Sequence, residues 1–173
     1  MSYWRDENEM KRRWQTADAL ADWMIEKECN FFGTATFNEG KTGCVTATGA
    51  EERIRHFYNR QMRELLGARW HKHKRDQQAF CLATLEYGTG KGIKAIKGIH
   101  WHLHYKIGEE LADKFNGIEH SKIWQRTNRL HRHFDLRHLE TEDDLRNTAH
   151  YAVKQFWMRD EDSGYVLCGN GTN

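Results

Sequence analysis

The sequence predicts one α+β domain built on an antiparallel sheet, and three observations predict it. Four short stretches, 31–37, 79–87, 98–107 and 133–139, are rich in β-branched and aromatic residues or alternate apolar with polar ones. Longer stretches before and between them place apolar residues three and four apart, the period of an amphipathic helix. The strands 79–87 and 98–107 are joined by a glycine-studded segment that reads as a hairpin tip, so this pair runs antiparallel. At 173 residues the chain has room for one domain with a real core and not for two.

Taken in order, residues 3–28 carry Met10, Trp14, Ala17, Ala21, Met24 and Ile25 at helical spacing, which predicts a packing helix. The strand FFGTATF, 31–37, ends at the turn signal Asn38-Glu39-Gly40. A second helix is expected near Thr48-Gly49-Ala50-Glu51, whose hydroxyl and carboxylate suit a capping box. It should bury Ile54, Phe57, Tyr58, Met62 and Leu65 and stop at Gly67. The basic run RWHKHKR, 69–75, is first of all a solvated face; its second reading is phosphate contact through Arg69, Lys72, Lys74 and Arg75. The hairpin tip, GTGKGIKAIKG at 88–98, offers Lys91, Lys94 and Lys97 beside bare glycine amides, and both suit phosphate. Helical spacing resumes with Leu111, Phe115 and Ile118 around an Asn116-Gly117 break, and continues through Ile123, Trp124, Thr127 and Leu130. After the strand 133–139, Thr141-Glu142-Asp143-Asp144 opens a last helix with an N-cap hydroxyl and acids at the positive end of the dipole. Its buried face is Leu145, Ala149, Ala152, Val153 and Phe156, and the polar tail beyond it is expected to be poorly ordered at its end.

Composition narrows the function classes. A net charge of +2 gives no general push toward nucleic acid, so any DNA contact must rest on where charges sit. Cys29, Cys44, Cys81 and Cys168 form no C-x-x-C, which argues against a disulfide framework and a cysteine zinc site, and for a reducing cytoplasm. No apolar run nears the ~20 residues that span a bilayer, and the charged start is unlike a signal peptide, so no membrane role is expected. Of the seven tryptophans, Trp14, Trp101 and Trp124 fall on apolar faces and are assigned to packing rather than base stacking.

Chemistry concentrates in GIHWHLHYKI, 98–107. Alternation puts Ile99, Trp101, Leu103, Tyr105 and Ile107 on one face and His100, His102 and His104 on the other. His71-Lys72-His73 and His131-Arg132-His133 lack the apolar residues between and read as solvated basic segments. A symmetric hairpin sets Glu86 opposite His100 on the histidine face. Two imidazoles and a carboxylate with open positions suit a divalent ion that also takes substrate oxygens. On the last helix Tyr151 and Lys154, three apart, share one side, while His150 points elsewhere. Tyrosine, with a pKa of about 10, needs a polarised electrophile and a nearby cation to act as a nucleophile at neutral pH.

The motifs GIHWHLHY, ATLEYG and HYAVK resemble those of the HUH endonucleases, in particular the rolling-circle replication initiators of plasmids and small phages. The resemblance spans about residues 30–158 in the family's motif order: FFGTATF is similar to its first strand motif, His100-Trp101-His102 to its histidine motif, and Tyr151-x-x-Lys154 to its nucleophile motif. It implies a ferredoxin-like antiparallel sheet with helices packed on one face and the active site on the other. It divides the chain into a helical extension at 1–30, an endonuclease domain at 31–160 and a tail at 161–173. It also implies a Mg²⁺ or Mn²⁺ ion held by Glu86, His100 and His102, attack by Tyr151 on single-stranded DNA, and Lys154 placing the phosphate. His102-Leu103-His104 also fits the histidine motif, so His104 is a possible ligand or phosphate contact, and Gln155 in place of a second tyrosine marks a single-tyrosine member. The expected setting is the cytoplasm of a bacterial or phage-infected cell, with helicase and polymerase supplied by another protein. The same core serves relaxases and transposases. Two readings of other classes stay open: a non-catalytic DNA-binding protein, and a non-haem iron enzyme with a two-histidine, one-carboxylate site.

Overall fold

A computed structural model describes residues 7–37, 47–74, 77–87, 99–127, 132–158 and 165–169. The turn at 38–40, Cys44, Arg75 and the hairpin lysines Lys91, Lys94 and Lys97 lie outside the described residues. The elements are α1 (Glu7–Glu26), β1 (Phe31–Phe37), α2 (Ala47–Leu66), β2 (Phe80–Tyr87), β3 (Ile99–Lys106), α3 (Glu109–Asn116), α4 (His120–Thr127), β4 (Arg132–His138), α5 (Glu142–Met158) and β5 (Tyr165–Cys168). The strands form one sheet in the order β4-β1-β3-β2-β5, with every neighbouring pair antiparallel.

β1 through β4, with α2 and the α3–α4 pair as crossovers, follow the β-α-β-β-α-β order of a ferredoxin-like unit. Both crossovers pack on one face of the sheet. Phe31, Ala35 and Phe37 of β1, Trp101, Leu103 and Tyr105 of β3, and Phe134 of β4 meet Ile54, Phe57, Tyr58 and Met62 of α2 and Phe115 and Trp124 of α3 and α4 there. The strict in–out alternation of FFGTATF produces this, since its odd-numbered residues are buried and its even-numbered ones half-buried. Gly33 is on the packed face because a side chain has no room: a Cβ there would stand 2.7 Å from the Phe134 ring. α2 stops at Gly67, whose φ of +90° ends the helix while its N–H donates to the Arg63 carbonyl at 2.9 Å. Its start differs from expectation: α2 already runs at Ala47, so Thr48 lies inside the helix and not at its cap.

The expectation of helices on one face holds for the crossover helices and not for the whole chain. α1 and α5 lie on the other face, where Ala17, Leu20, Ala21 and Met24 of α1 and Leu145, Ala149, Ala152 and Val153 of α5 cover Phe80, Leu82 and Phe32. Thr141 caps α5, accepting the Asp144 N–H at 3.1 Å. Trp14, assigned to packing from its spacing, is 50% exposed, because the buried stripe of α1 runs through Ala17, Leu20, Ala21 and Met24 instead. The tail holds a strand that the sequence did not announce: Tyr165–Cys168 lies on the β2 edge, pairing Cys81 with Cys168 and Thr84 with Tyr165, while 170–173 lie outside the described residues. Among the described residues no helix is long and apolar enough to cross a membrane.

Candidate active site

The histidine face is made by β3 and its two neighbours. β2 sets Glu86 opposite His100 and Thr84 opposite His102, the register that a symmetric hairpin predicts. β1 sets Thr36 opposite His100, Thr34 opposite His102 and Phe32 opposite His104. Glu86, two residues along β2 from Thr84, reaches diagonally to His102, with Oε2 and Nε2 2.5 Å apart.

α5 brings in the remaining groups. Thr84, buried, donates its hydroxyl to the Ala152 carbonyl at 3.0 Å, which fixes the helix against β2 at that turn. Tyr151 then lies edge-on to the His102 ring, with centroids 5.1 Å apart. Lys154, one turn on, stands with Nζ 3.3 Å from the centre of the Tyr151 ring and 3.1 Å from Glu86 Oε1. Residues 86, 102, 151 and 154 thus meet at one end of the sheet. Tyr151 is 49% exposed, open to a large substrate.

The electrostatics follow from these contacts. Partial burial pushes the Glu86 carboxyl up, but hydrogen bonds and charge from His102 and Lys154 outweigh it and hold the group at about 2, ionised at neutral pH. An ionised Glu86 can only accept, so His102 donates its Nε2–H in this contact. Its Nδ1 faces the Thr34 hydroxyl at 3.4 Å, and its ring stacks on Phe32 with centroids 5.5 Å apart. Thr34, Phe32 and Thr84 escaped the reading of the sequence as site residues. The alternation of FFGTATF already puts Phe32 and Thr34 on one face, but only the pairing of β1 with β3 makes it the histidine face.

His104 is not in this cluster. It is fully buried against Phe32 under α1 and α5, burial holds its pKa at about 3, and neither ring nitrogen has a hydrogen-bond partner among the described residues. Burial removes it as a phosphate contact. His100 is buried beside the cluster, opposite Glu86. Of the expected basic contacts, Arg69, Lys72 and Lys74 are exposed around the turn at Trp70–Lys72, apart from the cluster.

Glu86, His100 and His102 fit a divalent cation by donor type, an ionised oxygen and two imidazoles. As the side chains stand, no group of three His, Cys, Asp or Glu among the described residues converges on one point, because Glu86 is turned to His102 and Lys154. Beyond β3 the same face continues over Thr34 and Thr36 to His133, Asp135 and Arg137 of β4, which are exposed. α1 and α5 leave this half open, a polar surface beside Tyr151. The chain matches no family model, no curated protein and no solved structure.

Proposed function

We propose that the chain nicks and rejoins DNA strands through a tyrosine, as the initiators of rolling-circle replication do, with relaxase or transposase chemistry as close variants. The observation that carries this reading is the meeting of Tyr151, Lys154, Glu86 and His102 at the edge of an open polar face. A surface-exposed tyrosine held edge-on to a buried imidazole, with an ammonium over its ring, is poorly explained by packing, since Tyr151 keeps half its surface in solvent.

In the proposed reaction the Tyr151 oxygen bonds to the scissile phosphorus and the P–O3′ bond breaks. The tyrosyl proton leaves, and the departing 3′ oxygen takes up a proton. The products are a 5′-phosphotyrosyl strand and a free 3′-OH that can prime synthesis or attack in reverse to rejoin the ends. Lys154 stabilises negative charge on the tyrosyl oxygen and the phosphoryl group. Thr84, through Ala152, holds the helix that aims both groups. A Mg²⁺ or Mn²⁺ ion held by Glu86, His100 and His102 would supply positive charge to the phosphate, and its binding would displace the His102 proton.

The test is incubation with a panel of labelled single-stranded oligonucleotides and Mn²⁺, followed by denaturing electrophoresis. A covalently shifted band that disappears in Tyr151→Phe supports the reading. Binding without an adduct for any oligonucleotide would favour a non-catalytic DNA-binding protein.

A further inference from the structure

A cavity of about 600 Å³ opens on the helical layer opposite Tyr151, bounded by α2, α4 and the turn at Trp70–Lys72. Arg60, Arg63 and Glu64 of α2, Arg126 of α4 and the indole of Trp70 line it. Three guanidiniums therefore share one concave surface with one carboxylate.

Three helix arginines elsewhere each pair with a glutamate one turn away on their own helix: Arg13 with Glu9, Arg55 with Glu51 and Arg146 with Glu142. Those at the cavity do not. Among the described residues Arg63 and Arg126 have no acidic partner. Arg60 gives its Nε–H to His56 Nε2 at 2.9 Å rather than to a carboxylate. Gathering three cations without a carboxylate partner around a cavity raises the local positive potential there, which favours an anionic ligand. Trp70 adds a half-buried aromatic surface whose plane is set by its edge contact with Tyr58, centroids 5.8 Å apart. Guanidiniums beside an aromatic face suit phosphates joined to sugars and bases. The exposed Arg69, Lys72 and Lys74 extend the positive surface along the rim.

We propose that this cavity is a second nucleic-acid site, distinct from that of Tyr151. Arg60, Arg63 and Arg126 hold backbone phosphates, and Trp70 meets a sugar or base. The assignment is independent of whether Tyr151 cleaves. A free nucleotide carries the same chemistry, so the test must separate it from a polynucleotide.

The full chain is titrated into fluorescein-labelled single-stranded and duplex oligonucleotides, and anisotropy is read across a salt series. Loss of two phosphate contacts in Arg63→Ala/Arg126→Ala is expected to flatten the log–log salt slope by about 1.8 on the duplex and about 1.4 on the single strand. Over a fourfold rise in salt the wild type should then lose about twelvefold more affinity than the double variant on the duplex, and about sevenfold more on the single strand. Glu64→Gln, which removes the cavity's carboxylate, should tighten binding, an effect in the opposite direction that misfolding does not produce. An unchanged slope in the double variant, or no tightening in Glu64→Gln, overturns the proposal. Displacement of the oligonucleotide by equimolar ATP, with ATP binding lost in the double variant, would assign the cavity to a free nucleotide and equally overturn it.

Discussion

Replacing Glu86 by glutamine keeps the side chain's size and removes its charge, leaving His102 Nε2–H and the Lys154 ammonium facing a neutral amide. The carboxyl is held at about 2 against its ordinary 4.5. That difference, at 1.36 kcal/mol per pH unit, amounts to about 3 kcal/mol of stability at pH 7. For a chain of this size it corresponds to a fall in Tm of about 6–12 °C. The pH dependence is the sharper part. A carboxyl with a depressed pKa contributes in full above its ordinary value and loses that contribution as pH falls toward its folded value. The gap between wild type and Glu86→Gln should therefore be widest at pH 5–7, about half as large near pH 3.2, and close to vanishing at pH 2. Urea unfolding followed by tryptophan fluorescence at pH 7, 5 and 3.2 measures it. A gap that does not change with pH, or one below about 0.5 kcal/mol at pH 7, would mean that Glu86 is solvated and engages neither His102 nor Lys154.

Other outcomes follow from neighbouring groups. Thr84→Val removes the buried hydroxyl bonded to Ala152 and should cost about 1 kcal/mol, with reduced adduct formation at Tyr151. Thr84→Ser should restore both, and an unaffected α5 in hydrogen exchange would contradict the anchoring role. His104 has a folded pKa of about 3 against an ordinary 6.5, so the unfolded state takes up its proton first and stability falls as pH drops below 6.5. His104→Leu should remove that sensitivity, gaining about 2 kcal/mol relative to wild type between pH 7 and pH 5; parallel unfolding curves at the two pH values would refute it. Mn²⁺ titrated into the protein by calorimetry should bind with release of protons, more weakly as pH falls, and not in Glu86→Gln. Equal binding by that variant would place the ion elsewhere.

Strands β1 and β3 carried their boundaries in the sequence because each repeats on a period of two. FFGTATF ends where β1 ends, and the histidine strand differs from β3 only at its tips. The hairpin register was legible too, since symmetric closure sets Glu86 against His100. The side chain's diagonal reach to His102 was not, because it depends on Lys154 drawing the other carboxylate oxygen from a helix some 70 residues away in sequence. The apolar stripes of α1 and α5 were visible, but which sheet face a stripe covers is a property of the assembled sheet. The four residues of β5 carry too short a pattern to read as a strand, and their pairing with the edge of β2 is long-range. His104 illustrates the same limit: alternation gives it the face of His100 and His102, and only the packing of α1 and α5 over Phe32 buries it.

The most direct measurement is mass spectrometry on the covalent product of the protein, Mn²⁺ and a cleaved oligonucleotide after digestion with trypsin. Cleavage after Arg146 and Lys154 releases residues 147–154, whose one tyrosine is Tyr151. The mass of a 5′-phosphorylated nucleotide on that peptide, attached at Tyr151, is the expected result. Attachment at Tyr165 or any other residue, or cleavage that leaves a free 5′-phosphate and no protein adduct at any time, would contradict Tyr151 as the nucleophile.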